Sequence, residues 1–377
     1  MSRSVSATAL WLGAAYPVAL LLLSVQQVLA PQRNGLLAIG QILAPHLFLA
    51  ALLLAPLALA RSDAAARRGG PRRPLRMALA AVLVVGLVRF LPGTISLPPQ
   101  ETPGAVRVSV SSWNRQALGG PSAQEVVALL RASTSSVFAL QELRPEDATL
   151  IAADEVLVAR FPHRVLRPHQ GTYGMGLLSA HPILEEGWRN VPHTVWARLD
   201  LGAGRDVLVV NAHPLPASIT TLDSLPLPVG YDASGRDAAI DRLRGELVDR
   251  RLANGDTVLL AGDFNVTVRE PAFTDLAAGL VDVQAAVGLG PGSTWRPDRL
   301  EGLPFGLLRI DHCWPGPPSR SCTSPSTAHR AEATPASCMP YSRWAMKAPL
   351  MALPFGPSPD HEGVDRCEPR EAVSQRP

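Results

Sequence analysis

Residues 259–265 read Leu-Leu-Ala-Gly-Asp-Phe-Asn, and the reading of this stretch decides what kind of fold the chain adopts. An apolar run from Val258 to Ala261 stops at Gly262 and delivers Asp263 and Asn265, two residues apart, at its end. Gly, Asp and Asn also serve tight turns, so the stretch alone is either a turn or a strand with chemistry at its tip. The pattern repeats on both sides of it. Val106 to Ser112 alternates and leads into Trp113-Asn114, and Val137 to Leu140 leads into Gln141-Glu142. Asp206 to Val210 leads into Asn211-Ala212-His213, and Leu307 to Ile310 into Asp311-His312. Five apolar segments each end in polar, metal-competent side chains. Strands buried on both faces of a layered α/β fold read this way, with the functional groups gathered at one edge of the sheets. Helical patterns are expected over Ala123 to Arg131 and Arg236 to Arg251.

The first ninety residues are different in kind. They explain how a 377-residue chain with 47% hydrophobic residues acquires a positive mean hydropathy. Trp11 to Ala30 and Leu36 to Ala60 carry no charge apart from their flanks, and each is long enough to cross ~30 Å of hydrocarbon. A shorter third stretch, Met77 to Leu91, holds Arg89 near its end, where a long side chain can snorkel to the interface. Three transmembrane helices are therefore expected. Residues 61–76 contain six arginines and one aspartate, against Arg33 alone between the first two spans. The positive-inside rule puts that loop in the cytoplasm and everything after about residue 95 outside it. From residue 77 onward the chain has 27 basic and 31 acidic residues, a net charge of −4. Duplex DNA binders usually show a basic footprint, so this balance argues against duplex DNA as a partner.

Together Asn114, Gln141-Glu142, Gly176 to Ser179, Asn211 and His213, Gly262 to Asn265, Thr294-Trp295 and Asp311-His312 form an ordered set. That set resembles the endonuclease/exonuclease/phosphatase superfamily, whose fold is that of deoxyribonuclease I, over residues 106–312. Three spans ahead of such a domain also look like bacterial membrane-bound members. The resemblance implies a two-sheet α/β sandwich behind three transmembrane helices, and metal-assisted hydrolysis of a phosphoester. The implied cofactor is magnesium, with manganese as the alternative; magnesium favours oxygen ligands, few of them from protein. Glu142 is then the main metal ligand, with Asn114 beside it as a neutral oxygen or phosphate-positioning group. Asp263 orients or deprotonates the attacking water, and Asn265 holds the phosphate or the carboxylate. His213 donates to a phosphate oxygen, and Asp311 orients a histidine that the superfamily carries on a later strand.

The chain divides into an anchor (1–95), a Pro-rich linker (96–104), the sandwich domain (105–312) and an atypical tail (313–377). The tail holds all four cysteines, the sole lysine (Lys347) and 12 of the 36 prolines, with no period-2 apolar segment. Proline at that density excludes central strands. So abrupt a break reads as a shift of reading frame; the alternative is a native tail, disordered or tied by disulfides. Asp360-His361 is the one candidate for the later pair, without the apolar strand that should follow it. Competing chemistries find no support: the chain has no GxxxxGK[ST], GxSxG or HExxH, and residues 263–274 lack the glycine and glutamate of a calcium loop. The resulting expectation is a multi-pass cell-membrane protein with an extracytoplasmic phosphoesterase acting on a lipid-linked or small phosphoester. An exported nuclease and a catalytically impaired phospho-ligand-binding protein are the two alternatives.

Overall fold

The computed structural model describes residues 7–59, 72–92, 94–95, 108–222, 225–297, 300, 306–316 and 337–338. Within the anchor, α1 (Ala7–Leu29) is a single apolar helix. The second apolar stretch is broken into α2 (Leu36–Ile42), α3 (Ala44–Ala51) and α4 (Ala55–Leu59), with α2 bent 71° from the Ala44–Leu59 segment. Pro45, at the start of α3, marks the break. The third stretch lies in α5 (Arg72–Phe90).

Here the three-span expectation is corrected. By length and composition, one helix among the described residues, Leu10–Leu29, can cross a membrane, or two if the bent pair counts as one span. The reason for α5 is charge: only Met77 to Val88 lies between Arg76 and Arg89. At 1.5 Å per residue that is roughly 18 Å, short of the hydrocarbon thickness. The helices nevertheless pack as a bundle. Leu10, Ala14 and Leu20 of α1 bury against Phe48, Ala51 and Ala58, and against Leu75, Leu79 and Val82 of α5. A wide apolar surface stays exposed, including Leu22, Val25, Leu29, Leu49, Leu53, Val84 and Val88.

The domain is built on two sheets. The first is ordered β12-β1-β2-β4-β3, from β1 (Val110–Asn114), β2 (Val137–Gln141), β3 (His163–Arg167), β4 (Met175–Ser179) and a two-residue edge, β12 (Ser337–Cys338). The second is ordered β11-β10-β7-β6-β5, from β5 (Ile183–Asn190), β6 (His193–Gly202), β7 (Arg205–His213), β10 (Val258–Asp263) and β11 (Asp311–Pro315). A separate hairpin pairs β8 (Ser218–Leu222) with β9 (Leu225–Asp232). Val110, Val137 and Leu177 of one sheet interleave with Val195, Val207, Val209 and Leu259 of the other. Outside the first sheet lie α6 (Ala123–Ala132), α7 (Pro145–Ala153) and α8 (Glu155–Arg160); Val126, Leu130, Ile151 and Leu157 fill that layer. Outside the second lie α9 (Ser234–Leu243), α10 (Asp249–Ala253) and α11 (Pro271–Ala277), with Ile240, Leu243 and Leu276 packed on Leu208, Val210 and Leu260. A short α12 (Val283–Val287) precedes the segment leading to β11. The expected helix from Arg236 to Arg251 is thus interrupted, by a π-helical turn over Arg244–Val248.

Two boundaries move. Asp311-His312 opens a strand where the sequence pattern placed it at a strand's end: residues 307–310 are irregular apart from a bridge between Leu308 and Trp295. The structured domain also continues past His312, since β11 runs to Pro315 with Cys313 and Trp314 buried. Asp360-His361 lies outside the described residues.

Candidate active site

The two parallel pairs, β1 with β2 and β7 with β10, end at the same edge of the sandwich. Because β11 runs antiparallel to β10, its first residue Asp311 stands directly beside Asp263, the last of β10. Strand ends and a strand start therefore deliver Asn114, Glu142, His213, Asp263, Asn265 and Asp311 to one pocket of about 460 Å³. All six expected residues line it.

Local backbone fixes their directions. Glu142 (φ 59°), Gln116 (φ 54°) and Asn265 (φ 52°) are three of only four non-glycine residues with positive φ among the described residues. Such conformations cost about 1–3 kcal/mol each and persist where the surroundings hold them. Gly262 (φ 147°) serves a different need: a Cβ there would lie 2.0 Å from the Ala212 carbonyl oxygen. No larger residue fits between β7 and β10.

The amide of Asn114 ties the carboxylates together, its Nδ2 donating to Glu142 Oε1 and to Asp263 Oδ2, both at 2.9 Å. Its Oδ1 accepts from the Gln116 N–H at 2.9 Å. Glu142 Oε2 accepts from the Ala117 N–H at 2.8 Å, and Asp263 Oδ1 from the Asn265 N–H at 3.0 Å. Asn265 donates from its side chain to the Pro214 carbonyl at 3.0 Å. His213 Nε2 stands 3.9 Å from both Glu142 Oε1 and Asp263 Oδ2, while its buried Nδ1 has no protein partner.

Burial pushes the Asp263 carboxyl above the usual range, opposed by His213 and by the Asn114 donor. Asp311 is pushed up further, by burial first and then by the charge of Asp263, with the Thr294 hydroxyl acting against both. His312 points the other way, as alternation along β11 requires. Its Nε2 meets the Val266 carbonyl at 2.8 Å and its ring stacks on Trp314, so burial lowers it to about 3, a neutral core imidazole.

Sequence reasoning missed Gln116 and grouped Asn211 with the chemistry. Asn211 is wholly buried and acts as a clamp between the sheets, donating to the carbonyls of Leu140 and Gly176 and accepting from Gln141 Nε2. Tyr173 stacks on His193 with ring centroids 4.4 Å apart and is not among the pocket's lining. Among the described residues no histidine is paired with Asp311.

The donor set fits a divalent cation. Three carboxylates face one pocket whose described lining holds no arginine or lysine, and two of them are raised by burial and mutual repulsion. Among the described residues, no group of three or more His, Cys, Asp or Glu side chains is placed to hold a metal ion. Magnesium does not need one, since it is usually held by one or two carboxylates and keeps several waters.

Fold and site together define a two-sheet α/β sandwich with an acidic, amide-tied cluster at one sheet edge. The model of the Endonuclease/Exonuclease/phosphatase family matches residues 111–332, more than half of the chain, and the chain belongs to that family. Members of it are hydrolases acting on phosphoesters. Similar solved structures include a β-hairpin deletion mutant of beta toxin from Staphylococcus aureus, 16% identical, covering 70% of this chain and 99% of that one, TM-score 0.42. Truncated TDP2 from Caenorhabditis elegans is 18% identical, covering 60% and 87%, TM-score 0.43. The 3′ phosphatase NExo from Neisseria, bound to a product DNA hairpin, is 18% identical, covering 66% and 100%, TM-score 0.42. No curated protein matches.

Proposed function

We propose that the chain is a membrane-anchored, magnesium-dependent phosphoesterase acting outside the cytoplasmic membrane, with manganese as an alternative ion and a lipid-linked or small phosphoester as substrate. The observation that carries this reading is where the pocket sits. Its rim residues Leu215 and Pro216 run into Ala217, and Trp295 bridges to Leu308. Ala217 and Leu308, like Ile39 and Leu43, pack against one cluster formed by Ala38 and Ile42 of the anchor segment with Tyr231 and Ala233 of the domain. His46 Nε2 meets the Leu307 carbonyl at 2.9 Å. A substrate phosphate in this pocket would stand beside the bilayer that the anchor enters.

Topology agrees with export. Gly13 of α1 lies near Leu75 of α5, and Ser24 near Arg89, so α1 and α5 run parallel and both end on the domain's side. The 30–35 loop is on that side too: Arg33 pairs with Asp237 and Asp275, and Asn34 accepts from the Ala233 N–H. Arg73 and Arg76, at the start of α5, then belong to the opposite, cytoplasmic side, which requires α5 to cross although its uncharged part is short, with Arg76 reaching back to the interface. Alkaline phosphatase fused after Pro99 should be active and fused at Gly70 silent; the reverse pattern removes the extracytoplasmic assignment.

Asp263 takes the proton of the attacking water, its raised pKa making it a better base than an exposed aspartate. His213 donates from its ring N–H to a phosphate oxygen as charge builds there. Asn114 keeps Glu142 and Asp263 in mutual register, and we assign it that positioning role because its oxygen is already engaged by Gln116. A magnesium ion held by Glu142, when bound, supplies the positive charge that phosphate oxygens require and the pocket's side chains lack. Asn265, held at positive φ by the Pro214 carbonyl, keeps Asp263 oriented.

The substrate test compares the full chain acting on a prenyl pyrophosphate, a short-chain phosphodiester and duplex DNA. Preference for DNA would favour the nuclease alternative. A binder of phosphorylated ligands with impaired chemistry has one observation in its favour: Asp311 without a histidine partner among the described residues. Tight ligand binding with no magnesium-dependent turnover on any of the three substrates would establish it.

A further inference from the structure

A second polar cluster lies at the seam between anchor and domain, and it belongs to no part of the pocket. Arg89, the last residue but one of α5, donates from Nη1 to the Ser24 hydroxyl and, at 3.0 Å, to Gln27 Oε1 of α1. From the domain, Arg269 donates through Nη1 to the Arg89 carbonyl at 3.4 Å. Both guanidinium groups lie against one ring, Arg269 at 4.6 Å and Arg89 at 5.5 Å from the Phe90 centroid. Neither arginine has a carboxylate partner among the described residues.

The unpaired atoms point to the missing partner. Arg269 Nε and Gln27 Nε2 are buried donors without an acceptor, and Gln27 is only 7% exposed. Native proteins rarely leave such donors orphaned, and an unfilled pair of them beside two cations calls for an anion. Arg309 adds little to that demand because Asp282 holds it through two bonds, at 2.8 and 2.6 Å. Burial lowers Arg269 to about 10, and the charges of Arg89 and Arg309 act in the same direction, as expected for a cation held without its counter-ion.

Position identifies the anion. The cluster sits where α1 and α5 both end on the domain's side, flanked by exposed Val25, Val28, Leu29, Leu87, Val88 and Leu91. Exposed Leu22, Leu83 and Val84 lie a turn or more below the guanidinium groups, while Val28, Leu29 and Leu91 lie level with them or beyond, which matches the boundary between hydrocarbon and lipid headgroups. We propose that Arg89 and Arg269, with Gln27, form a seat for the phosphate of an anionic phospholipid of the surrounding leaflet, which joins the anchor to the domain. The seat rests on the membrane reading of the helices and is independent of the reaction in the pocket.

The test uses the full chain in detergent micelles, titrated with phosphatidylglycerol, phosphatidylcholine or inorganic phosphate and read by native mass spectrometry. Phosphatidylglycerol should bind in preference to both, and Arg89→Gln with Arg269→Gln together should weaken it by roughly tenfold or more, the scale of one lost charged hydrogen bond. Arg269→Lys, which keeps charge but removes Nε, should fall between. Arg250→Gln, an exposed arginine on α10, should change nothing. Undiminished phosphatidylglycerol binding by the double variant, with its thermal unfolding unchanged, overturns the seat, as does an equal loss in Arg250→Gln. Equal binding of inorganic phosphate and phosphatidylglycerol would also overturn the lipid assignment. Carbonate extraction separates this from the anchor reading: release of the wild-type chain into the soluble fraction sinks the anchor, whereas retention without headgroup preference sinks only the seat.

Discussion

The pocket and the seam are charged clusters of opposite sign, and each is left unbalanced among the described residues. In the pocket, Glu142, Asp263 and Asp311 face one another with only His213 as a potential counter-charge. At the seam, Arg89 and Arg269 share one aromatic ring with no carboxylate among the described residues. Elsewhere the domain pairs its buried charges carefully. Arg236 is wrapped by Asp237, Glu270 and the Tyr231 hydroxyl, and the fully buried Arg115 meets Asp147 at 3.1 Å. Burying a charge without a partner costs several kcal/mol, so among the described residues these two places are where something from outside the chain would relieve most. We propose a divalent cation for one and an anionic headgroup for the other.

The contrast breaks most sharply at Asp263. Asp263→Asn keeps the Asn114 contact in shape but removes the base, and should lower turnover by roughly 100- to 10,000-fold. Thermal unfolding should hold or rise, because a buried, raised carboxyl has been neutralised. A variant within tenfold of wild type would show that the pocket's imbalance serves no proton transfer.

Trp314→Ala tests where the balanced part of the molecule ends. Trp314 is wholly buried against Phe264, 4.9 Å between centroids, and its loss should cost about 3–5 kcal/mol. An unchanged Tm would return residue 313 to the tail and restore the boundary at His312. Slightly smaller in free energy, His213→Gln should lower kcat by roughly 100- to 1000-fold, the usual worth of one preorganised donor. If KM alone rises, His213 binds substrate and does not act on the developing charge.

The smallest effect is on acid stability, and it comes from His312, the neighbour of Asp311 in the sequence motif. His312 falls from its ordinary 6.5 to about 3 in the folded state, so the unfolded chain binds the extra proton between those values. Stability contributed this way is intact above about pH 6.5 and is lost progressively as pH falls toward 3. His312→Phe should flatten that part of the unfolding-versus-pH curve; an unaltered slope would mean that other groups govern it.

These residues also show how much the sequence could reveal. Strand ends were legible because both-face burial writes a continuous apolar run and the switch to polar residues is abrupt, as at Val258 to Asp263. That logic assumes that every run leads up to its polar pair. It reversed at Asp311, which begins β11, because antiparallel pairing brings a strand's start to the edge where parallel partners end. Asn211 looked like chemistry because an amide at a strand end is ambiguous until the facing sheet supplies its carbonyls. Gln116 left no signal, since its placement depends on a positive φ in an irregular turn. The N-terminal apolar helices were read from length and charge, and neither reveals a 71° bend or the part-buried bonding of Arg89 to α1.

The central claim is that the acidic pocket works only with a divalent cation. The most direct measurement is phosphodiester hydrolysis by the full chain in magnesium, then in EDTA, then with magnesium restored, beside Glu142→Gln. The account predicts turnover that EDTA abolishes and magnesium recovers, with Glu142→Gln needing far more magnesium to reach a lower maximum. Turnover that survives EDTA, or a magnesium titration in Glu142→Gln identical to wild type, would contradict it.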